Sequence, residues 1–179
     1  MPIDTQLFYL LNNLAGQWPF LDKVIVFLGQ YLAYILGVLF LAYVFLLHSK
    51  QEKFQLLLIA GISAFFARFG VVEVIRLFYQ RPRPFVDMPV YQLLTNNEWS
   101  FPSGHATFFF ALATALYLYH KKWGIGFFIA ATIISVSRVI AGIHYPSDIV
   151  AGALIGIIVA YATVYIVRKM SVAQPHQTY

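Results

Sequence analysis

Val24-Ile-Val-Phe-Leu-Gly-Gln-Tyr-Leu-Ala-Tyr-Ile-Leu-Gly-Val-Leu-Phe-Leu-Ala-Tyr-Val-Phe-Leu-Leu47 decides the fold, because it is uninterrupted by charge and Gln30 is its most polar member. A helix needs about 20 mostly apolar residues to cross the hydrocarbon of a bilayer, and this run exceeds that. Four further mostly apolar runs follow, of which the first carries Arg68 and Glu73. They predict spans over Phe54–Tyr79, Gly104–His120, Gly124–Ile143 and Ile149–Val167. The expected fold is all-α, an integral membrane bundle of about five spanning helices. Ahead of them, Leu7, Leu10, Leu11 and Leu14 recur at helical spacing among Thr5, Gln6, Asn12 and Asn13. That pattern predicts an N-terminal amphipathic helix lying at the membrane interface, with Trp18 and Phe20 as headgroup-level anchors.

Composition agrees. Hydrophobic residues make up 60% of the 179-residue chain and charged residues 11%, against roughly 25% charged in a soluble domain. A disordered chain and a disulfide scaffold are both excluded, the latter by the absence of cysteine. Asp4 stands before any apolar stretch and no basic segment precedes it, so a cleavable signal is not expected. Length and the absence of a linker predict a single membrane-embedded domain over 1–179.

The net charge of +5 could suggest nucleic acid, but the positions of the cations argue otherwise. Lys50, Lys53, Lys121, Lys122, Arg168 and Lys169 flank apolar runs, as in a membrane protein marking its cytoplasmic side. With five spans, those turns share one side, and the segments 76–103 and 144–148 share the other. The expected location is therefore the cell (inner) membrane, multi-pass, with the polar segments on the extracytoplasmic face.

Those segments hold most of the remaining polar chemistry: Arg76-Leu-Phe-Tyr-Gln-Arg81-Pro-Arg83-Pro84, then Pro102-Ser103-Gly104-His105, then Ser137-Arg138, His144 and Asp148. Arg76, Arg83 and Arg138 offer forked donors suited to anionic oxygens. Gly104 allows close backbone approach, and Ser103 with the N–H groups of the following helix adds donors where the helix dipole favours an anion. The residue types fit a phosphate site built without a metal. Reading His144 and Asp148 as metal ligands fails for want of a carboxylate cluster and because three arginines would repel a cation. Asp148 could also serve as a helix N-cap, in addition to orienting His144. His48, His120 and His176 read as caps or interface residues. Arg68 and Glu73, ionisable inside an apolar run, read as a structural pair, or Glu73 orients Arg76 three residues on. Arg81 is extra to the pattern, an accessory contact to a second phosphate or to the headgroup layer. Gly152 and Gly156 form a small-residue pair expected to seat a neighbouring helix of the same chain.

In order and spacing the three polar segments resemble the tripartite signature of the type-2 phosphatidate phosphatase (lipid phosphate phosphatase) superfamily. One position departs from it, since Arg76 stands where the family usually carries Lys. The resemblance implies a metal-independent, cofactor-free lipid phosphatase with His144 as nucleophile, Asp148 orienting it and His105 as acid and base. Arg76, Arg83, Ser103, Gly104 and Arg138 would bind phosphate. The chain looks most similar to the small bacterial branch acting on undecaprenyl diphosphate. Phosphatidylglycerophosphate, phosphatidate, lipid A phosphates, a lipid phosphotransferase and a non-enzymatic lipid-phosphate binding or transport protein are the alternatives. The expected partners are a membrane lipid substrate and the bilayer itself, with no nucleic acid and no metal.

Overall fold

In the computed structural model, which describes residues 2–172, helix follows helix, and no strand occurs among the described residues. Helix α1 is Ile3–Asn12, α2 Pro19–Leu46, α3 Lys50–Phe78, α4 Gly104–Tyr119, α5 Lys121–Ile140 and α6 Pro146–Val172. Helices α2, α3, α5 and α6 are each long and apolar enough to cross a membrane. The expected third span, Gly104–His120, is α4, the shortest of the five long helices. Its 16 residues reach about 24 Å at 1.5 Å per residue, short of a hydrocarbon core about 30 Å thick. It escapes the length requirement because most of it is buried against protein: Ala106, Ala111, Ala113, Ala115, Leu112 and Leu116 are all in the core. Small side chains let α3, α5 and α6 close around it.

Four helix starts differ from expectation: α2 begins at Pro19, not Val24, and α3 at Lys50, not Phe54. Helix α5 begins at Lys121, so the basic residues form its first turn and do not precede it. Helix α6 begins at Pro146, not Ile149. Proline breaks a helix interior but is well suited to its first turn, where its missing N–H costs nothing.

Helix α1, at 10 residues, is too short to span. Ile3, Leu7, Leu10 and Leu14 face outward while Phe8 and Asn12 are buried, the division expected of a helix resting on a membrane surface. Asn12 fastens it. Its Nδ2 donates to the carbonyls of Tyr91 (2.8 Å) and Ile140 (2.9 Å), and its Oδ1 accepts from the Tyr91 N–H (3.0 Å).

At one end of the bundle Ser49 caps α3 through the Glu52 N–H. Glu52 Oε1 lies 2.9 Å from His120 Nε2, and the Tyr43 ring packs on His120 and Trp123. The basic first turns of α3 and α5 thus share an end, and His120 is an interface residue there. His48 is exposed, and His176 lies outside the described residues. The motif segments gather at the opposite end. Two π-helical turns, Phe27–Tyr31 in α2 and Phe66–Val71 in α3, bring Gly29 and Arg68 toward it. Such turns recur at functional sites.

Gly152 and Gly156 seat α6 on α4. A Cβ at Gly156 would lie 2.4 Å from the Thr107 carbonyl oxygen, and one at Gly152 2.6 Å from that of Ser103. The pair packs within the chain, as the sequence suggests. Gly156→Ala should lower the unfolding midpoint in detergent by the equivalent of about 1–3 kcal/mol. Gly37→Ala, where a Cβ meets nothing within 4 Å, should leave it unchanged.

Candidate active site

The turn between α5 and α6 delivers the central histidine. Gly142, at φ +83, reverses the chain where any Cβ would strike the Tyr91 carbonyl oxygen at 2.6 Å. His144 and Asp148 follow, both fully buried. His144 Nδ1 lies 3.4 Å from Asp148 Oδ2. Its Nε2 faces the other way, 3.3 Å from both Ser103 Oγ and Arg83 Nη1.

Asp148 is held from several sides. Its Oδ2 accepts from Ser100 Oγ (2.5 Å) and from the Tyr145 N–H (2.8 Å), and its Oδ1 from Arg81 Nη1 (2.9 Å). Reaching back to Tyr145 is what the third residue of a capping box does. Asp148 is therefore a first-turn residue of α6 and not its N-cap, and it faces the imidazole as well. Each donor fixes the carboxylate plane, and the plane sets which imidazole nitrogen carries hydrogen.

Three arginines line the site at 4% exposure or less. Arg83 leaves a Pro-flanked loop and donates to the carbonyls of Glu98 (2.7 Å), Ile143 (2.6 Å) and Trp99 (3.3 Å). Burial, then the neighbouring Arg76 charge, brings its pKa down to about 10, so it stays cationic at neutral pH. Arg138 Nη1 donates to the Gly29 carbonyl in the π-turn of α2 (2.9 Å). Among the described residues neither Arg83 nor Arg138 has a carboxylate at ion-pair distance. Arg76 differs: it bonds Glu73 (3.1 Å), Glu98 (2.8 Å) and the Pro102 carbonyl (3.3 Å). Arg68 joins the same cluster, bonding Glu73 and both Glu98 oxygens at 2.8 Å. Burial would raise the Glu98 pKa, but its bond to Arg76 and the Arg68 charge hold it below the ordinary range.

One Glu73 carboxylate oxygen accepts from both Arg68 and Arg76, so the contacts of both sequence readings are present in one group. Gly104 serves a purpose the sequence did not disclose. A Cβ there would lie 2.3 Å from Arg68 Nε, so the glycine makes room for that guanidinium. A cavity of about 370 Å³ opens beside these groups, lined by His105, Arg138, Gln30, Tyr34, Thr95 and Asn96.

The structure thus brings His144, Asp148, Ser103, Arg83, Arg76 and Gly104 together, with His105 and Arg138 on the adjoining cavity. Arg81 is the outlier. It stands behind Asp148, bonded to Asp4, with its guanidinium 3.7 Å above the Tyr145 ring. Sequence reasoning missed Ser100, Glu98 and Asp4. Ser100, two residues before the Pro102-Ser103-Gly104-His105 motif, could have been found by extending it. Glu98 sat in a loop already marked as polar, and Asp4 carried no signal. Among the described residues no group of three or more His, Cys, Asp or Glu is placed to hold a metal ion.

Apolar spans, a buried histidine backed by an aspartate, and arginines gathered for an anion define a membrane-embedded lipid phosphatase. The chain belongs to the PAP2 superfamily, whose family model matches residues 52–171. It is 30% identical over 166 residues to the bacitracin transport permease protein BcrC of Bacillus licheniformis, covering 92% of this chain and 80% of that one. It is also 30% identical over 157 residues to the undecaprenyl-diphosphatase BcrC of Bacillus subtilis, covering 87% and 80%. The crystal structure of Aquifex aeolicus LpxE superposes with a TM-score of 0.73 at 31% identity, covering 92% of this chain and 96% of that one.

Ser100→Ala removes one donor from Asp148. A hydrogen bond of about 1 kcal/mol corresponds to roughly fivefold in rate. Turnover should fall by that amount while the unfolding midpoint holds, a comparison that purified protein in detergent allows directly.

Proposed function

We propose that the chain hydrolyses undecaprenyl diphosphate to undecaprenyl phosphate and inorganic phosphate, through a phosphohistidine and without a metal, at the extracytoplasmic face of the cell membrane. The observation that carries the chemistry is the orientation of His144. Nδ1 points to Asp148 and Nε2 points into a wall formed by Ser103 and Arg83. A nucleophile is active when its lone pair faces substrate and its other nitrogen is held. Arg83, Arg138 and Arg76 bind the non-bridging oxygens, joined by the Ser103 hydroxyl. Arg138 Nε and Arg76 Nε are buried without a partner, and buried donors of that kind call for an acceptor.

In the reaction His144 Nε2 forms a bond to the terminal phosphorus as the bond from that phosphorus to the bridging oxygen of the leaving undecaprenyl phosphate breaks. His105 gives that oxygen a proton, the charge of the bound phosphate having favoured its protonated form. His105 then takes a proton from water, which attacks the phosphohistidine and returns His144 to its neutral state. Because charge spreads over the equatorial oxygens, positioning and electrostatics supply most of the rate. A lipid substrate suits this site, since its tail stays in the bilayer while its headgroup enters. Similarity to the Bacillus subtilis enzyme supports the diphosphate, and the basic turns at the opposite end support the outward orientation.

His144→Ala should abolish phosphate release yet keep lipid-phosphate binding; persistent release would remove it as nucleophile. EDTA should leave turnover intact, and loss restored by a divalent ion would overturn the metal-free mechanism. In a panel of lipid phosphates, undecaprenyl diphosphate should give the highest kcat/KM.

Acidity gives a separate check. Burial, partly opposed by the Asp148 hydrogen bond and reinforced by Arg83, pushes the His144 pKa down to about 4 from 6.5. Nε2 is therefore unprotonated at neutral pH, and kcat/KM should decline as pH falls through about 4. The stability contributed by the neutral ring is complete above 6.5 and lost as pH falls toward 4.

A further inference from the structure

We propose that Asp4, on the surface helix α1, is a positioning residue for the phosphatase reaction. It clamps Arg81 and the first turn of α6, and through them sets the orientation and effective charge of Asp148 behind His144. The inference rests on the reading of His144 given above.

The contacts are direct. Asp4 Oδ1 accepts the Ser147 N–H at 2.9 Å, and Asp4 Oδ2 accepts from Ser147 Oγ at 2.6 Å and from Arg81 Nη2 at 2.8 Å. Arg81 Nη1 donates to Ser147 Oγ at 2.7 Å and to Asp148 Oδ1 at 2.9 Å. The Ser147 N–H is one of the donors a helix leaves unpaired in its first turn. Asp4 therefore caps α6 from a helix far away in sequence, and Asp148 lies in the turn it caps. Neither Asp4 nor Arg81 is solvated like a surface ion pair: their side chains are 24% and 20% exposed, and that of Asp148 0%. Phe8, fully buried against the Tyr145 ring at 5.8 Å between centroids, holds α1 in register with this network.

Charge alternates along the chain of contacts, from Asp4 to Arg81 to Asp148 to the imidazole. With Asp4 in place, Arg81 is shared between two carboxylates. Its hydrogen bond to Asp4 and the Asp148 charge outweigh its burial and hold its pKa above the ordinary value. With Asp4 neutral, Arg81 would draw on Asp148 alone, and the imidazole would lose part of its backing. The other groups facing this pair are known. Arg83 and Arg138 face His144 from the loop and α5, and His105 faces it from α4. Ser100 and Tyr145 adjoin Asp148, and Asp87 lies near Tyr145. Arg76, Glu98 and Arg68 reach the set through Arg83. Asp4 and Arg81 are the pair that sits behind Asp148, away from the anion donors.

The experiment compares Asp4→Asn, Asp4→Glu, Arg81→Gln and His144→Ala in the full chain purified in detergent, following phosphate release from undecaprenyl diphosphate against pH. Asp4→Asn should lower kcat about fivefold, the effect of one lost hydrogen bond, with KM unchanged. It should also move the acid limb of kcat/KM to lower pH. Asp4→Glu should recover most of kcat. Arg81→Gln should move the acid limb the other way, because Asp148 then acts on His144 undiluted. A purely structural role would not give opposite displacements. If Arg81→Gln fails to fold, the Asp4→Asn limb alone decides. An acid limb for Asp4→Asn that coincides with wild type, or a change confined to KM, overturns the positioning role. With His144→Ala inactive, the reading of the nucleophile survives that failure; release by His144→Ala would overturn both.

Discussion

Arg83 is the tie on which the site depends. One guanidinium binds the Glu98 and Trp99 carbonyls of the long loop and the Ile143 carbonyl beside the central histidine. It thereby joins a segment after α3 to the turn between α5 and α6. A lysine could not do this, because a compact ammonium lacks donors spread across a plane. The partners are carbonyl dipoles and not carboxylates, so the positive charge is held in place without being cancelled. Burying such a charge is costly. The arrangement makes sense in a site that meets an anion.

The carboxylates are divided between two separate tasks. Glu73 and Glu98 lie among Arg68 and Arg76, binding two cations into one rigid group at the edge of the bundle. Asp148 lies on the Nδ1 side of His144, bonded to Arg81, while Arg83 lies on the Nε2 side. Were Asp148 bonded to Arg83, the imidazole would lose its carboxylate partner and the Arg83 charge would be cancelled. Ser100 and the Tyr145 N–H take up the carboxylate's remaining bonding capacity and prevent that exchange.

Much of this was legible from the sequence, and the failures have identifiable causes. Uninterrupted apolar runs disclosed the bundle, and the position of cations between them disclosed its two ends. The arginines, His105, His144 and Asp148 were legible because their spacing matches a known signature. Helix starts failed at Pro19, Lys50, Lys121 and Pro146, where proline or charged residues suit a turn and a helix's first turn alike. What surrounds α4 was hidden, because an apolar run looks the same whether it meets lipid or protein. The part played by Gly104 was hidden because its neighbour, Arg68, comes from another helix. Asp4 was invisible for the same reason, since its partners lie at positions 81 and 147.

The short central helix has a mechanical consequence. Outer helices that touch lipid must tilt or strain when the bilayer thickens or thins, at a fraction of a kcal/mol per Å. Helix α4 is jacketed by protein and carries Ser103 and His105 at its end, so it answers to its neighbours and not to the acyl chains. Ser103 and His105 are thereby shielded from changes in membrane thickness, whereas His144 and Asp148, on the turn between α5 and α6 and the first turn of α6, follow the helices that meet lipid.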